Sequence, residues 1–126
     1  TYYNDSKGTN PDSSIKALEA MTKPTLIIAG GYDKHSEFDG FIDAFGGKVK
    51  LMVLIGTTAP QIEKTARAHG FDNIINTDSL ENAVQICHDN AVSGDVVLLS
   101  PACASWDMFK SYEERGRLFK EYVNRF

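Results

Sequence analysis

"TLIIAGGYDKHSEFDGFIDAFGGKVKLMVLIG", residues 25–56, begins and ends on apolar runs and carries a different periodicity between them. The runs 25–29 ("TLIIA") and 49–55 ("VKLMVLI") are nearly unbroken, as expected of parallel strands covered on both faces. Between them Phe38, Phe41, Ile42 and Phe45 fall at i, i+3, i+4 and i+7, the apolar stripe of a helix. Strand, helix, strand is a crossover unit, and the rest of the chain repeats it.

Working outward, strand signals recur at 1–4 ("TYYN"), 73–76 ("NIIN") and 95–99 ("DVVLL"). A helix is expected to begin within "TNPDSS", where Thr9 or Asn10 can cap and Pro11 suits the first turn. Another runs from about Pro60 to His69 and is stopped by Gly70. Leu80, Ala83, Val84, Cys87 and Ala91 mark the inward face of a further one. The last begins near Ser105 and turns Leu118, Phe119, Tyr122 and Val123 inward. Five successive βα units predict an α/β three-layer sandwich with a mostly parallel sheet of about five or six strands. No linker or repeat interrupts it, so residues 1–126 read as one domain.

A chain of 126 residues, 42% hydrophobic, can bury one sizeable core. Its formal charge of −4 offers no basic field for nucleic acid or anionic lipid. Two cysteines without zinc spacing argue against a disulfide scaffold or a metal site and for a reducing cytoplasm. No apolar run approaches the roughly 20 residues of a membrane span. Because the chain opens on Thr1 with a strand already in progress, it is expected to be a domain cut from something longer.

Ligands of parallel α/β sheets collect outside the carboxyl ends of the strands. The loops to inspect are therefore 5–10, 30–37, 56–60, 77–79 and 100–106, and three are chemically unusual. "NDSKGTN" (4–10) gathers Asp5, Ser6, Lys7, Thr9 and Asn10 at a helix N-terminus, which favours an anion or is simply a well-capped polar turn. "AGGYDKHSEF" (29–38) sets two glycines before Lys34. The glycines allow a tight turn or close approach to a ligand, and Lys34 is a point charge suited to carboxylate or phosphate, or a solvated lysine. This is neither the dinucleotide fingerprint nor a phosphate loop. His35 has no carboxylate or nucleophile placed by sequence to orient it.

"SPACASWDMF" (100–109) turns from strand to helix through unusually small side chains, with Ser105 able to cap and Asp107 in the first turn. Cys103 lacks the arginine six residues on that a cysteine phosphatase needs, Phe109 standing there, and no GxSxG surrounds Ser105. Cys103 and Cys87 both read as packing residues. A phosphoacceptor receiver would need an aspartate ending the third strand and a lysine after the fifth. Gly56–Thr57 and Ser100–Pro101 occupy those places.

Taken together, "NDSKGTNPDSSIKAL" (4–18), "LIIAGGYDKHSEF" (26–38) and "VVLLSPACASWDMFKSYEERGRLFKEYV" (96–123), in this order, resemble the C-terminal domain of the Mur ligases, in particular their D-glutamate-adding branch. Gly8, where alanine is usual, and His35, where glycine commonly follows the lysine, are departures. The resemblance implies a Rossmann-like fold that binds no dinucleotide. It also implies ATP-dependent amide ligation in peptidoglycan synthesis, joining D-glutamate to UDP-N-acetylmuramoyl-L-alanine in the cytoplasm. It further implies that Thr9, Lys34 and Ser105 hold D-glutamate, that Tyr112 lies near its side chain, and that Asp5 and Lys7 face ATP. Catalytic groups, the Mg2+ ligands and most of the ATP site would then belong to missing N-terminal and central domains, leaving this chain inactive alone. Two other readings stay open: a stand-alone α/β module that binds a small ligand or nucleotide without catalysis, and a non-catalytic interaction domain.

Overall fold

The computed structural model describes residues 2–4, 11–30, 38–56, 58–99 and 112–125. Five strands, β1 (Tyr2–Asn4), β2 (Thr25–Gly30), β3 (Val49–Ile55), β4 (Ile74–Asn76) and β5 (Val96–Leu99), alternate with five helices. These are α1 (Pro11–Glu19), α2 (Asp39–Asp43), α3 (Ala59–Ala68), α4 (Leu80–Asn90) and α5 (Tyr112–Val123). The sheet has the order β1-β5-β2-β3-β4, and every pairing in it is parallel. The expected α/β architecture with about five or six strands is therefore realised, with five strands among the described residues.

Period-two alternation along the buried strands divides their side chains between two cores. Ile27, Ala29, Met52, Leu54 and Leu98 face Leu18 of α1, Phe41 and Ile42 of α2, and Ile62 and Ala66 of α3. Leu26, Ile28, Leu51, Val53, Ile55, Val97 and Leu99 face Leu80, Ala83, Val84 and Cys87 of α4 and Phe119 of α5. Each large aliphatic side chain so buried contributes about 1.5–3 kcal/mol before chain entropy is counted. Three helices thus cover one face and two the other, as right-handed crossovers require when the chain moves outward from β1 to β4 and then returns to β5.

The second helix is shorter than its apolar stripe. Phe38 to Phe45 spans the expected face, but the helix occupies only Asp39–Asp43, and Phe45 reaches the core from the following turn at 4% exposure. Gly46 and Gly47, with φ of +51° and +78°, carry the chain out of helical geometry. Five residues cannot hold a helix by themselves. Tertiary contacts hold this one, among them the edge-to-face rings Phe41–Phe45 and Phe45–Phe71, 5.3 and 5.0 Å between centroids.

On the opposite face Phe119 packs 6.3 Å from the Tyr2 ring, and Arg125 pairs with Glu81 at 2.6 Å, tying the turn after α5 to the first turn of α4. Arg115, also in α5, is fully buried and engaged in an interaction of its own. The sequence reading assigned it no role.

Candidate functional site at the strand ends

The strand order decides which loops can share a ligand. β5 lies between β1 and β2, and the register sets Asn4 beside Leu99 while Leu99 also pairs with Ile28. The segments after β1, β5 and β2 therefore leave three neighbouring strands at one edge. They lead into the three loops singled out by their chemistry: 5–10, 100–106 and 30–37. Parallel strands lie about 4.8 Å apart, so the three exits span roughly 10 Å.

The same order separates the helices that follow these strands. The helices following β1 and β2 pack on one face, and the helix following β5 packs on the other. The chain thus parts to opposite faces on both sides of β5, which is the switch-point geometry where open α/β sheets take their ligands.

Of the residues expected to line the site, Asp5, Lys7, Thr9, Lys34 and Ser105 lie outside the described residues, as do His35 and Cys103. Tyr112 is the first residue of α5, and its side chain lies outside the description as well. The frame that launches their loops is what the structure supplies.

Within that frame, the glycine pair after β2 acquires a definite cause at its first member. Gly30 ends β2 with φ +116°, and a Cβ built on it would collide with the main-chain carbonyl oxygen of Ile55, its partner on β3. Close backbone approach is therefore demanded here by the neighbouring strand. Gly56, one residue beyond Ile55, also takes a positive φ of +82°.

Cys87 is a packing residue, as expected: it is fully buried and desolvation pushes its thiol up to about 12, so it is not an available nucleophile. Among the described residues no group of His, Cys, Asp or Glu is arranged to hold a metal ion, and no helix is long and apolar enough to cross a membrane.

A second polar cluster, missed by the sequence reading, lies at the opposite edge, where the strands begin. His69, just past α3, has Nε2 2.8 Å from an Asp39 oxygen and Nδ1 3.0 Å from an Asp43 oxygen. Two carboxylates facing both ring nitrogens require both to donate, which the imidazolium alone can do. The hydrogen bond to Asp39 is the main cause of a raised His69 pKa, with Asp43 adding to it. Asp39 and Asp43 are four apart in sequence, a signal that they share a helix side. Only the fold shows that His69 ends the helix beside them.

Comparison with known proteins agrees with the frame. Solved structures resemble it at low identity: E. coli FolC in complex with ADP, with a TM-score of 0.60, 16% identity, and coverage of 94% of this chain and 28% of that one; and the UDP-N-acetylmuramate-alanine ligase MurC of Thermotoga maritima, at 0.57, 14%, 92% and 25%. These show the fold. Relatives named UDP-N-acetylmuramoylalanine--D-glutamate ligase are far closer in sequence. That of Lachnospira eligens is 63% identical over 123 residues, 98% of this chain and 27% of its own length; that of Clostridioides difficile is 51% identical over 123 residues, again 98% and 27%. The chain thus spans about a quarter of the relatives it matches. Residues 1–103 match the family described as "Mur ligase, glutamate ligase domain", and since that match covers most of the chain and all five strands of the sheet, the chain belongs to the Mur ligase family, as its glutamate ligase domain.

Proposed function

We propose that this chain is the amino-acid-binding C-terminal portion of an ATP-dependent ligase that joins D-glutamate to UDP-N-acetylmuramoyl-L-alanine in the cytoplasm. The observation that carries the reading is the strand order, which starts the Thr9, Lys34 and Ser105 segments from adjacent strands at a switch point. The names of relatives up to 63% identical supply the chemistry.

In this reading a carboxylate oxygen of the UDP-linked substrate attacks the γ-phosphorus of ATP and ADP departs. The D-glutamate amine then attacks the acyl carbon and phosphate leaves. Mg2+ with ATP supplies neutralisation of the phosphoryl charge. The residues of this chain bind and orient. Lys34 is the charge partner of a D-glutamate carboxylate. Thr9 and Ser105 donate hydroxyl hydrogen bonds, and Tyr112 borders the amino-acid side chain. The small residues Ala102 and Ala104 leave room for the backbone to approach the ligand. Asp5 and Lys7 face the nucleotide across the closure between domains. Catalytic groups and metal ligands belong to the remainder of the enzyme, so the chain alone forms no amide.

The test is steady-state kinetics of Lys34→Ala in the full-length enzyme with each substrate varied in turn. Loss of a charge-assisted hydrogen bond costs about 1.5–3 kcal/mol, so D-glutamate use should fall about 10- to 150-fold while the UDP-substrate KM holds. Asp5→Ala and Lys7→Ala should instead act on ATP kinetics. Unchanged D-glutamate kinetics in Lys34→Ala would remove the reading.

A further inference from the structure

α2 is too short to persist by itself, and it is held from two sides. Phe41 and Ile42 are buried in the core that it shares with α1 and α3. On the outside Asp39, its first residue, and Asp43, its last, are both met by the His69 imidazole. The ring springs from a fixed base, because α3 ends in a Schellman turn: the Gly70 N–H donates to the Arg67 carbonyl and the Phe71 N–H to that of Ala66, with Gly70 at φ +85°. Among the described residues the other charges nearby are engaged elsewhere, Arg67 with Glu63 and Asp72, and Lys48 with the Leu18 and Glu19 carbonyls. Asp39 and Asp43 are the charges that face the ring.

A neutral imidazole has one N–H and one lone pair, so it can serve one carboxylate and must turn a lone pair towards the other. The bond to Asp39 is the shorter, 2.8 against 3.0 Å, and keeps the proton on Nε2. We propose that His69 is a proton-operated latch on α2: as imidazolium it spans Asp39 and Asp43, and on deprotonation it keeps Asp39 and lets go of Asp43, loosening the carboxyl-terminal turn of the helix. The bonds at stake are those from the Ala44 N–H to the Gly40 carbonyl and from the Phe45 N–H to the Ile42 carbonyl, 3.1 and 3.0 Å. Gly46 and Gly47, both at positive φ, follow directly and give the turn its freedom. Release is local, since Phe41 and Ile42 keep α2 on the core. The hydrogen bond to Asp39 is the first cause of the raised His69 pKa, so the latch is closed below about 6.5 and opens as pH rises through the folded value.

The experiment is hydrogen exchange of the full-length enzyme from about pH 5.5 to about pH 9, which spans the histidine range. It is read by mass spectrometry and corrected for the intrinsic pH dependence of exchange. The peptide 39–48 should be less protected than the β3 peptide 49–55 at every pH, so that its exchange reports local opening. Its protection should fall about two- to fivefold as His69 titrates, the size expected of an exposed ion pair. His69→Gln should hold it at the alkaline level throughout. Asp43→Ala, which leaves neutral His69 the Asp39 partner it can keep, should remove the pH dependence as well. Constant protection of 39–48 in the wild-type enzyme, protection equal to that of 49–55, or an unchanged pH dependence in either variant would overturn the inference.

Discussion

The two edges of the sheet use the same residue type for different ends. Where the strands begin, Gly47, Gly70 and Gly94 take φ of +78°, +85° and +93°, and a Cβ on any of them would meet nothing within 4 Å. They serve only the turn. Where the strands end, Gly30 is fixed by lack of space as well as by φ, since the Ile55 carbonyl occupies the place of a side chain. The starting edge is instead fastened by side chains. Lys50 reaches Asp95 at 2.5 Å, the Asn73 amide donates to the Lys50 carbonyl, the Lys48 ammonium donates to the Leu18 carbonyl at 3.3 Å, and His69 bridges Asp39 and Asp43. One edge is closed by turns and ion pairs; at the other, backbone stands directly against backbone at Gly30 and Ile55.

The contrast is broken most directly at its glycines. Gly30→Ala should destabilise the chain by about 3 kcal/mol or more, because strain at φ is joined by a collision with backbone that cannot move aside. Gly70→Ala should cost only about 1 kcal/mol, the strain alone. Urea denaturation of both variants checks this, and equal losses would mean that the crowding at Ile55 relaxes freely.

Smaller effects sharpen the functional side of the comparison. In the full-length enzyme Ser105→Ala should weaken D-glutamate by about 1 kcal/mol, roughly fivefold. Were Ser105 only a helix cap, the loss would appear as about 0.5–2 kcal/mol of stability with ligand affinity intact. Ser105→Asp separates the two, since it retains a cap while setting a negative charge against the substrate carboxylate. Melting temperature should hold and D-glutamate turnover should vanish.

The smallest effect belongs to the starting edge and is read as pH dependence. The folded pKa of His69 is raised, chiefly by its bond to Asp39, so its contribution is complete below about 6.5 and is lost as pH rises through the folded value. Asp95 is shifted down, first by Lys50 and then by the Val92 N–H; its contribution is present above about 3.9 and is lost as pH falls through the folded value. His69→Gln should flatten the stability–pH curve on the alkaline side of its titration and Asp95→Asn on the acid side, where Glu63, also shifted down, still contributes. A His69 titration by NMR at or below the ordinary value would contradict the bridged geometry.

These edges also mark what the amino-acid sequence could reveal. Unbroken apolar runs disclosed β2, β3 and β5 because both their faces are covered, and the apolar stripes of α4 and α5 disclosed the helices that cover one of those faces. Phe45 misled, since it keeps helical spacing while belonging to a glycine turn. Local patterns carry no record of strand neighbours, so nothing in the spacing of residues 4–10, 29–38 and 100–109 could set their loops side by side; the resemblance to a family did that, and the order β1-β5-β2 supplies the physical reason. Arg115 was illegible for a related cause: charge predicts exposure, and only a complete fold explains a buried guanidinium.

The position of β1 has a kinetic consequence. Tyr2 pairs with Val97, 95 positions further along, and Thr25 with Val96, 71 along, whereas the β2–β3 and β3–β4 pairings join neighbours in sequence. Closing that longest loop is the entropically dearest contact of the fold and the one least able to form early. The switch point between β1 and β5 needs β1 in place, so the frame of the candidate site is completed by the pairing most distant in sequence. A chain in which β2, β3, β4 and β5 had assembled would still lack the β1 side of that frame.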